Sequence, residues 1–326
     1  MNPIFQDLET FKESYIQGLE SMLDAQDLGA FILVLANAKM NPAIWHRLES
    51  KLLLTFEQLK LNTPHGSDDD ELVFEKLKDI AIETLALTEY RQSGFFEIQY
   101  NPLRALRPKR LSQSKTKGMY KDFDNNGFHF NKDFLKNEVF WQGQFFSKEV
   151  TLFYNKFPFA DWHGLVVVEP TKKHPQLMTQ DLHHFAWMMA NSVGIHINGW
   201  TLAYNAYGAY ASVNHFHLQC FIREKPLPIE TQEKYPLVHQ SFSSVSDAWM
   251  LIESLHEQEQ PYHVIYKKDT ILVIIRKRQG EYQHASWSSG YAWYEACGGV
   301  CIDDLSTFKQ LDALVLNEEI NQLALK

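Results

Sequence analysis

Cysteine is scarce: only Cys220, Cys297 and Cys301 occur in 326 residues. An odd, sparse set excludes a disulfide framework, and Cys297-x-x-x-Cys301 lacks a second pair to complete a zinc site. Positive charge is in deficit. The 31 Lys and Arg against 40 Asp and Glu leave a formal charge of −9 at pH 7 and a pI near 5.9. That argues against a dedicated nucleic-acid binder but leaves room for a local basic patch that takes a small anion. Long apolar runs are missing, and Phe31–Ala36 is too short to cross a bilayer. The stretch Met1–Asp7 has no basic n-region, so no signal peptide is expected. The expectation is a chain of the reducing cytoplasm, with no membrane or nucleic-acid partner. Its length predicts two or three units.

What stands out is the stretch Ala211–Cys220. Read as a β-strand, it alternates: His215, His217 and Gln219 project from one face, and Phe216, Leu218 and Cys220 enter an apolar core from the other. Just upstream, Tyr207–Ser212 is a loop of small residues. Its backbone N–H groups, at Gly208, and the Ser212 hydroxyl could approach the non-bridging oxygens of a phosphate. A histidine is mostly neutral near pH 7, so His217 can attack phosphorus with little activation and store a nucleotidyl group. His215 would orient it. Gln219 cannot take a proton, which suits transfer through a stored intermediate better than proton delivery. Two other readings compete. His-x-His on a strand is also a zinc pair, with His163 or His174 as a third ligand, and two buried histidines can be purely structural.

The rest of the chain frames this stretch. Residues 1–92 read as helices, from Phe5, Leu8, Phe11, Tyr15 and Leu19 at helical spacing to a helix running from Asp68 through Tyr90. They form an accessory layer without chemistry of its own. Phe95–Tyr100 reads as a strand. Arg104, Arg107, Lys109, Arg110, Lys115, Lys117 and Lys121 then follow with no acidic residue among them, either as a solvated loop or as a phosphate clamp carried by Arg107 and Arg110. Trp141–Glu169 reads as two strands, Thr179 caps a helix to about Asn198, and Trp200–Tyr204 is a strand. A second strand–turn–strand spans Tyr262–Ile275. Trp287–Cys301 would take the place of the catalytic strand without a His-x-His, and a final helix would turn Phe308, Leu311, Leu314 and Val315 inward. The echo suggests a tandem duplication whose second copy lost its chemistry.

Ser-x-Asn-His-x-His-x-Gln (Ser212–Gln219), preceded by Tyr204–Ala209, resembles the transferase branch of the histidine triad superfamily, and most of all its GDP-D-glucose and GDP-L-galactose phosphorylases. Asn101–Arg110, Phe123–Phe128, Asn155–Pro158 with His163–Leu165, and Glu295–Gly298 share the resemblance, which covers about residues 95–325. It implies His217 as nucleophile with Gln219 as its partner, and Ser212 and Asn214 on phosphate. It also implies Asn155 at the ribose, His163 in support, and Lys156 and Asn205 among the nucleotide-binding positions. Ala206 stands where the family motif has Ser, and the first 92 residues lie outside the resemblance. The expected fold is α+β: tandem histidine-triad-like halves (93–232 with the active site, 233–326 degenerate) with antiparallel sheets and packed helices, behind an N-terminal all-helical layer (1–92). The expected reaction is phosphorolysis of a nucleoside diphosphate sugar, a GDP-hexose in the first instance, with inorganic phosphate and no cofactor or metal. A homodimer is a compatible assembly. The alternatives are a dinucleoside polyphosphate phosphorylase or adenylyltransferase, a zinc-dependent hydrolase on the His-x-His pair, and a catalytically dead nucleotide-binding module.

Overall fold

The computed structural model describes residues 3–62, 64, 66–106, 116–288 and 290–325. Four helices come first: α1 (Leu8–Met22), α2 (Leu28–Met40), α3 (Pro42–Leu61) and α4 (Asp68–Lys78). Each begins at a residue whose side-chain oxygen accepts a first-turn N–H, namely Asp7, Asp27, Asn41 and Ser67. Every residue of α2 is buried. The run Phe31–Ala36 is apolar on all sides because helices surround it. No helix among the described residues is long and apolar enough to cross a membrane.

The helix expected through Tyr90 stops at Lys78. Strand β1 (Glu89–Ser93) follows, pairing antiparallel with β2 (Phe96–Tyr100) through a turn at Gly94, whose φ of +58° suits glycine. The tight turn, not the preceding helical pattern, decides the conformation of 89–93. Three strands occupy the segment read as two: β3 (Val139–Phe145), β4 (Lys148–Tyr154) and β5 (Gly164–Val168). Then come α5 (Gln180–Gly194), capped by Thr179, and the hairpin β6 (Trp200–Asn205) and β7 (His217–Ile222). Next are β8 (His239–Phe242), α6 (Val245–Glu257) and the hairpin β9 (Tyr262–Lys267) and β10 (Thr270–Ile275). The described chain closes with α7 (Trp293–Ala296), β11 (Gly299–Ile302), α8 (Leu305–Gln310) and α9 (Ala313–Asn321).

The fold is α+β, as expected. One eight-stranded sheet has the order β3-β4-β5-β7-β6-β9-β10-β8, antiparallel throughout, and a small sheet has the order β1-β2-β11. Helix–hairpin α5-β6-β7 is echoed by α6-β9-β10, and β6 pairs with β9 where the two meet. The place beside β9 that mirrors β7 beside β6 is therefore held by β10, not by Trp287–Cys301. β11 instead pairs parallel to β2 in the small sheet. Leu314 and Val315, expected to face inward, are 76% and 42% exposed. The helix breaks at Leu311–Asp312, where Asp312 caps a new one, and the break resets the inward face.

The large sheet has two faces, and strand alternation sorts its residues between them. Leu218 and Cys220 pack into the core shared with α1, α2, α5 and α6. Phe221 packs with Phe96, Ile98, Trp293 and Val300 on the other side. His217 and Gln219 sit on that second face. The site therefore lies opposite the helical layer. None of the three cysteines is in a disulfide, and all three are buried.

Candidate active site

The strand expected over 211–220 starts only at His217. Residues 213–215 form a bend, and Phe216 N–H bonds to the carbonyl of His174. His215 is thus outside the ladder, and its ring does not simply repeat the direction of His217. It sits in an aromatic enclosure with Phe123 at 5.1 Å and Phe130 at 5.7 Å, and its Nδ1 accepts the Phe130 N–H at 3.2 Å. Its backbone matters more: the His215 carbonyl lies 2.8 Å from His217 Nδ1.

A carbonyl can only accept, so His217 Nδ1 carries the proton and Nε2 keeps a lone pair. Burial pushes the His217 pKa down to about 4, so the ring is neutral at pH 7. Gln176 fixes the backbone of the same residue. Its Oε1 accepts the His217 N–H at 2.9 Å and its Nε2 donates to the His217 carbonyl at 3.1 Å. The Phe130 ring stands edge-on at 5.1 Å. Position, tautomer and charge state are all set before any ligand arrives.

Gln219 is oriented by donors. Trp293 Nε1, which can only donate, lies 2.7 Å from its Oε1, and His163 Nε2 lies 3.0 Å from the same oxygen. The amide NH2 is thereby turned away from Trp293 as a pure donor. His163 Nδ1 accepts the Phe159 N–H at 3.3 Å, so both nitrogens of this fully buried ring are engaged. Burial lowers its pKa to about 3. Trp293 stacks on Phe221 at 4.4 Å, so the C-terminal part of the chain clamps β7.

The other expected residues divide. Asn155 accepts the Phe157 N–H at 3.0 Å, and its Nδ2 lies 3.3 Å from His163 Nε2, a contact between two donors that places Asn155 beside the ring without a hydrogen bond to it. Asn214 ties the loop together, accepting from Gln176 N–H and donating to the carbonyls of Lys121 and Asp122. Asn205 is buried, its Oδ1 accepting from His263 Nδ1 and from the Trp293 N–H. Lys156 pairs with Asp70 of α4 at 2.6 Å and Glu138 at 3.9 Å, which neutralise it. Ser212 is exposed, and Gly208 has φ +87° and gives its carbonyl to the Gln279 N–H. Arg107 and Arg110 lie outside the described residues. Among the described residues, no three His, Cys, Asp or Glu side chains are grouped to hold a metal.

Sequence reasoning missed Gln176, Phe130 and Trp293. Each acts through spatial neighbours far away in the chain. The signals nearest to them were the stretches Phe123–Phe128 and Glu295–Gly298 flagged by resemblance.

The helical layer also reaches the site. The Tyr15 hydroxyl lies 2.7 Å from Asn37 Oδ1 and 3.1 Å from the His163 carbonyl, and Asn37 Nδ2 donates to the Asn155 carbonyl at 2.9 Å. Two buried residues of α1 and α2 thus hold both ends of the loop that carries Asn155 and His163. Asn37→Ala strips partners from two buried groups and is expected to cost about 1–3 kcal/mol, against about 1 kcal/mol for Tyr15→Phe. Urea denaturation checks this, and the larger loss for Asn37→Ala is the expected order.

Residues 91–221 match the family described as GDPGP1-like, N-terminal domain. GDP-D-glucose phosphorylase 1 of Danio rerio is 26% identical over 175 residues, 47% of this chain and 48% of that protein. The Homo sapiens protein of the same name is 28% identical over 150 residues, 44% of this chain and 38% of that protein. The matches thus span less than half the length of these relatives. Yeast Ap4A phosphorylase Apa2, solved with AMP, superposes with a TM-score of 0.51 at 16% identity, over 78% of this chain and 96% of that one. The resemblance read from the motif holds. The fold is similar to that of Ap4A phosphorylase Apa2, and residues 91–221 match the GDPGP1-like N-terminal domain. The match runs from β1 through Phe221, so it includes His163, His215, His217 and Gln219 and leaves out α1–α4 and Trp293.

Proposed function

We propose that this chain is a phosphorylase of nucleoside diphosphate sugars, GDP-hexose in the first instance, working through a nucleotidyl-His217 intermediate. The observation that carries the reading is the pairing on one strand face of a neutral His217, protonated on Nδ1, with a Gln219 locked as a donor. His217 Nε2 attacks the α-phosphorus. The P–N bond forms as the P–O bond to the sugar phosphate breaks, and hexose 1-phosphate leaves with the bond's electrons. A phosphate leaving group needs no proton, so a glutamine that can only donate a hydrogen bond suffices beside it. The Nδ1 proton stays on the ring, and the His215 carbonyl stabilises the resulting nucleotidyl-imidazolium. An oxygen of inorganic phosphate then attacks the same phosphorus, giving the nucleoside diphosphate and neutral His217. Splitting one transfer into two displacements lowers each barrier.

Names of relatives support the substrate class, and three buried cysteines outside any disulfide suit the reducing cytoplasm expected from composition. The test is a panel of nucleoside diphosphate sugars and dinucleoside polyphosphates incubated with and without phosphate. GDP-hexose consumed only when phosphate is present, with hexose 1-phosphate and GDP formed in equal amounts, is the expected result. Consumption at the same rate without phosphate would make the protein a hydrolase.

A further inference from the structure

We infer that Arg276 and His263, at the second hairpin, are positioning residues for Gln219: acting through Asn205 and Trp293, they keep its amide NH2 presented as a donor. This rests on the proposed role of Gln219 beside the leaving phosphate. Register places the chain of contacts. Gln219 pairs with Ala203 across β7 and β6, and Asn205, two residues further along β6, pairs with His263 of β9. Paired residues, and residues two apart on one strand, project from the same face, so Gln219, Asn205 and His263 share the face that carries the site. Arg276 follows directly on β10, whose Ile274 pairs with His263. Arg276, His263, Asn205 and Trp293 are all buried.

Groups that can act in only one sense fix the direction of every bond. A guanidinium only donates. Arg276 is held by the Tyr291 carbonyl, the Tyr282 hydroxyl and the Lys277 carbonyl, and its Nη1 donates to His263 Nε2 at 3.4 Å. His263 Nε2 therefore keeps a lone pair, and Nδ1 carries the proton that goes to Asn205 Oδ1 at 2.8 Å. The other end demands the same arrangement. The Trp293 N–H only donates, and at 3.0 Å it meets the same Asn205 atom, which must be the oxygen. Trp293 opens α7, and this N–H is one that a helix leaves without a partner of its own. The indole Nε1 of Trp293 then donates to Gln219 Oε1 at 2.7 Å. Burial and the Arg276 charge keep His263 neutral, so the tautomer is held. In the other tautomer Nδ1 would present a lone pair, and the Asn205 amide would turn over to donate to it. The Asn205 nitrogen would then face the Trp293 N–H, donor against donor, and Trp293 would lose the anchor from which it holds Gln219.

The test compares His263→Gln with His263→Asn in the full chain. A glutamine oxygen can stand at the Nε2 position and accept from Arg276, but it leaves no donor at the Nδ1 position. Asparagine does the opposite: its NH2 can stand at Nδ1 and serve Asn205. His263→Gln is expected to lower kcat roughly tenfold to a hundredfold with KM for GDP-hexose unchanged, since a displaced amide costs orientation in the transition state and not substrate binding. His263→Asn should keep kcat near the native value. In protein carrying isotope-labelled tryptophan, the indole N–H signal that vanishes in Trp293→Phe should shift in His263→Gln and hold in His263→Asn. A histidine that only fills space would make the two variants alike. Equal losses in both, no loss in either, or a fallen kcat with the indole signal unmoved would overturn the inference. If either variant does not fold, Trp293→Phe takes its place: kcat falling by a similar factor with KM held supports the chain of contacts, and unchanged kcat overturns it. These outcomes are distinct from failure of the phosphorylase reading. An indole shift confined to His263→Gln, in a protein that turns over no nucleotide sugar, keeps the positioning role and loses the reaction. Native-like phosphorolysis by all three variants does the reverse.

Discussion

His217→Ala and His217→Gln are expected to abolish turnover, a loss of several orders of magnitude such as follows removal of a nucleophile elsewhere. In the native chain the kinetics should be ping-pong, and labelled nucleotide sugar without phosphate should leave a nucleotidyl group on the protein. The bond would be a phosphoramidate, acid-labile and comparatively base-stable, and peptide mapping should place it on His217. Both variants should lose the label yet fold, since the Gln176 braces contact the backbone of residue 217, not its ring. Gln219→His is the informative neighbour. Gln219 Oε1 takes two donors, from Trp293 and His163, and one imidazole nitrogen cannot take both. That variant should therefore lose stability, about 1–3 kcal/mol for a buried donor left unpaired, besides shifting phosphorolysis towards hydrolysis. A His217→Ala protein with native turnover would end the mechanism. A label on His163 would keep the chemistry and move the nucleophile, although both His163 nitrogens are already engaged.

The alternation in His217-Leu218-Gln219-Cys220 was legible because a strand's period is two and its apolar members are consecutive alternate residues. It failed at His215, where the carbonyl of His174 captures the backbone before the ladder begins, and nothing local marks that event. Helices α1 to α3 were legible from apolar spacing, and α5 from its spacing and its Thr179 cap. Residues 89–93 were not, because their strand exists only through pairing with β2. The counterpart of β7 was misplaced for a similar reason. Trp287–Cys301 has small and aromatic residues in a suggestive order, but sheet order is a tertiary property, and β10 holds that place. The role of the helical layer was invisible in sequence. Asn37 looks like an ordinary polar residue on a helix, and only the fold shows it holding the Asn155 carbonyl.

Acid should destabilise this protein steeply, and histidines should be the main cause. His163 and His215 are held down to about 3, and His183 and His217 to about 4, each chiefly by burial. His263 is pushed well below the ordinary value by burial and by the Arg276 charge. In the unfolded chain all five return to about 6.5. Between that value and the folded ones, the unfolded state binds more protons, so stability falls as pH drops. The loss is on the order of 2 kcal/mol per histidine at pH 5. Two groups oppose it. Burial raises Glu138 to about 7 and also raises Asp161, and both favour the folded state as they protonate. Glu138 offsets about one histidine, so the balance remains several kcal/mol, a large part of the 5–15 kcal/mol of an ordinary domain. Urea midpoints at pH 7.5, 6 and 5, with proton uptake on unfolding followed at each, measure the effect. The expected uptake exceeds two protons near pH 5. His183→Gln should reduce it by about one, because His183 binds Tyr266 and Val245 away from His217 and should leave turnover intact. His217 stays neutral through this range, so any acid loss of activity above pH 5 should follow unfolding and not a titration of His217. A stability that stays level from pH 7.5 to 5 would contradict the burial of these rings as neutral species.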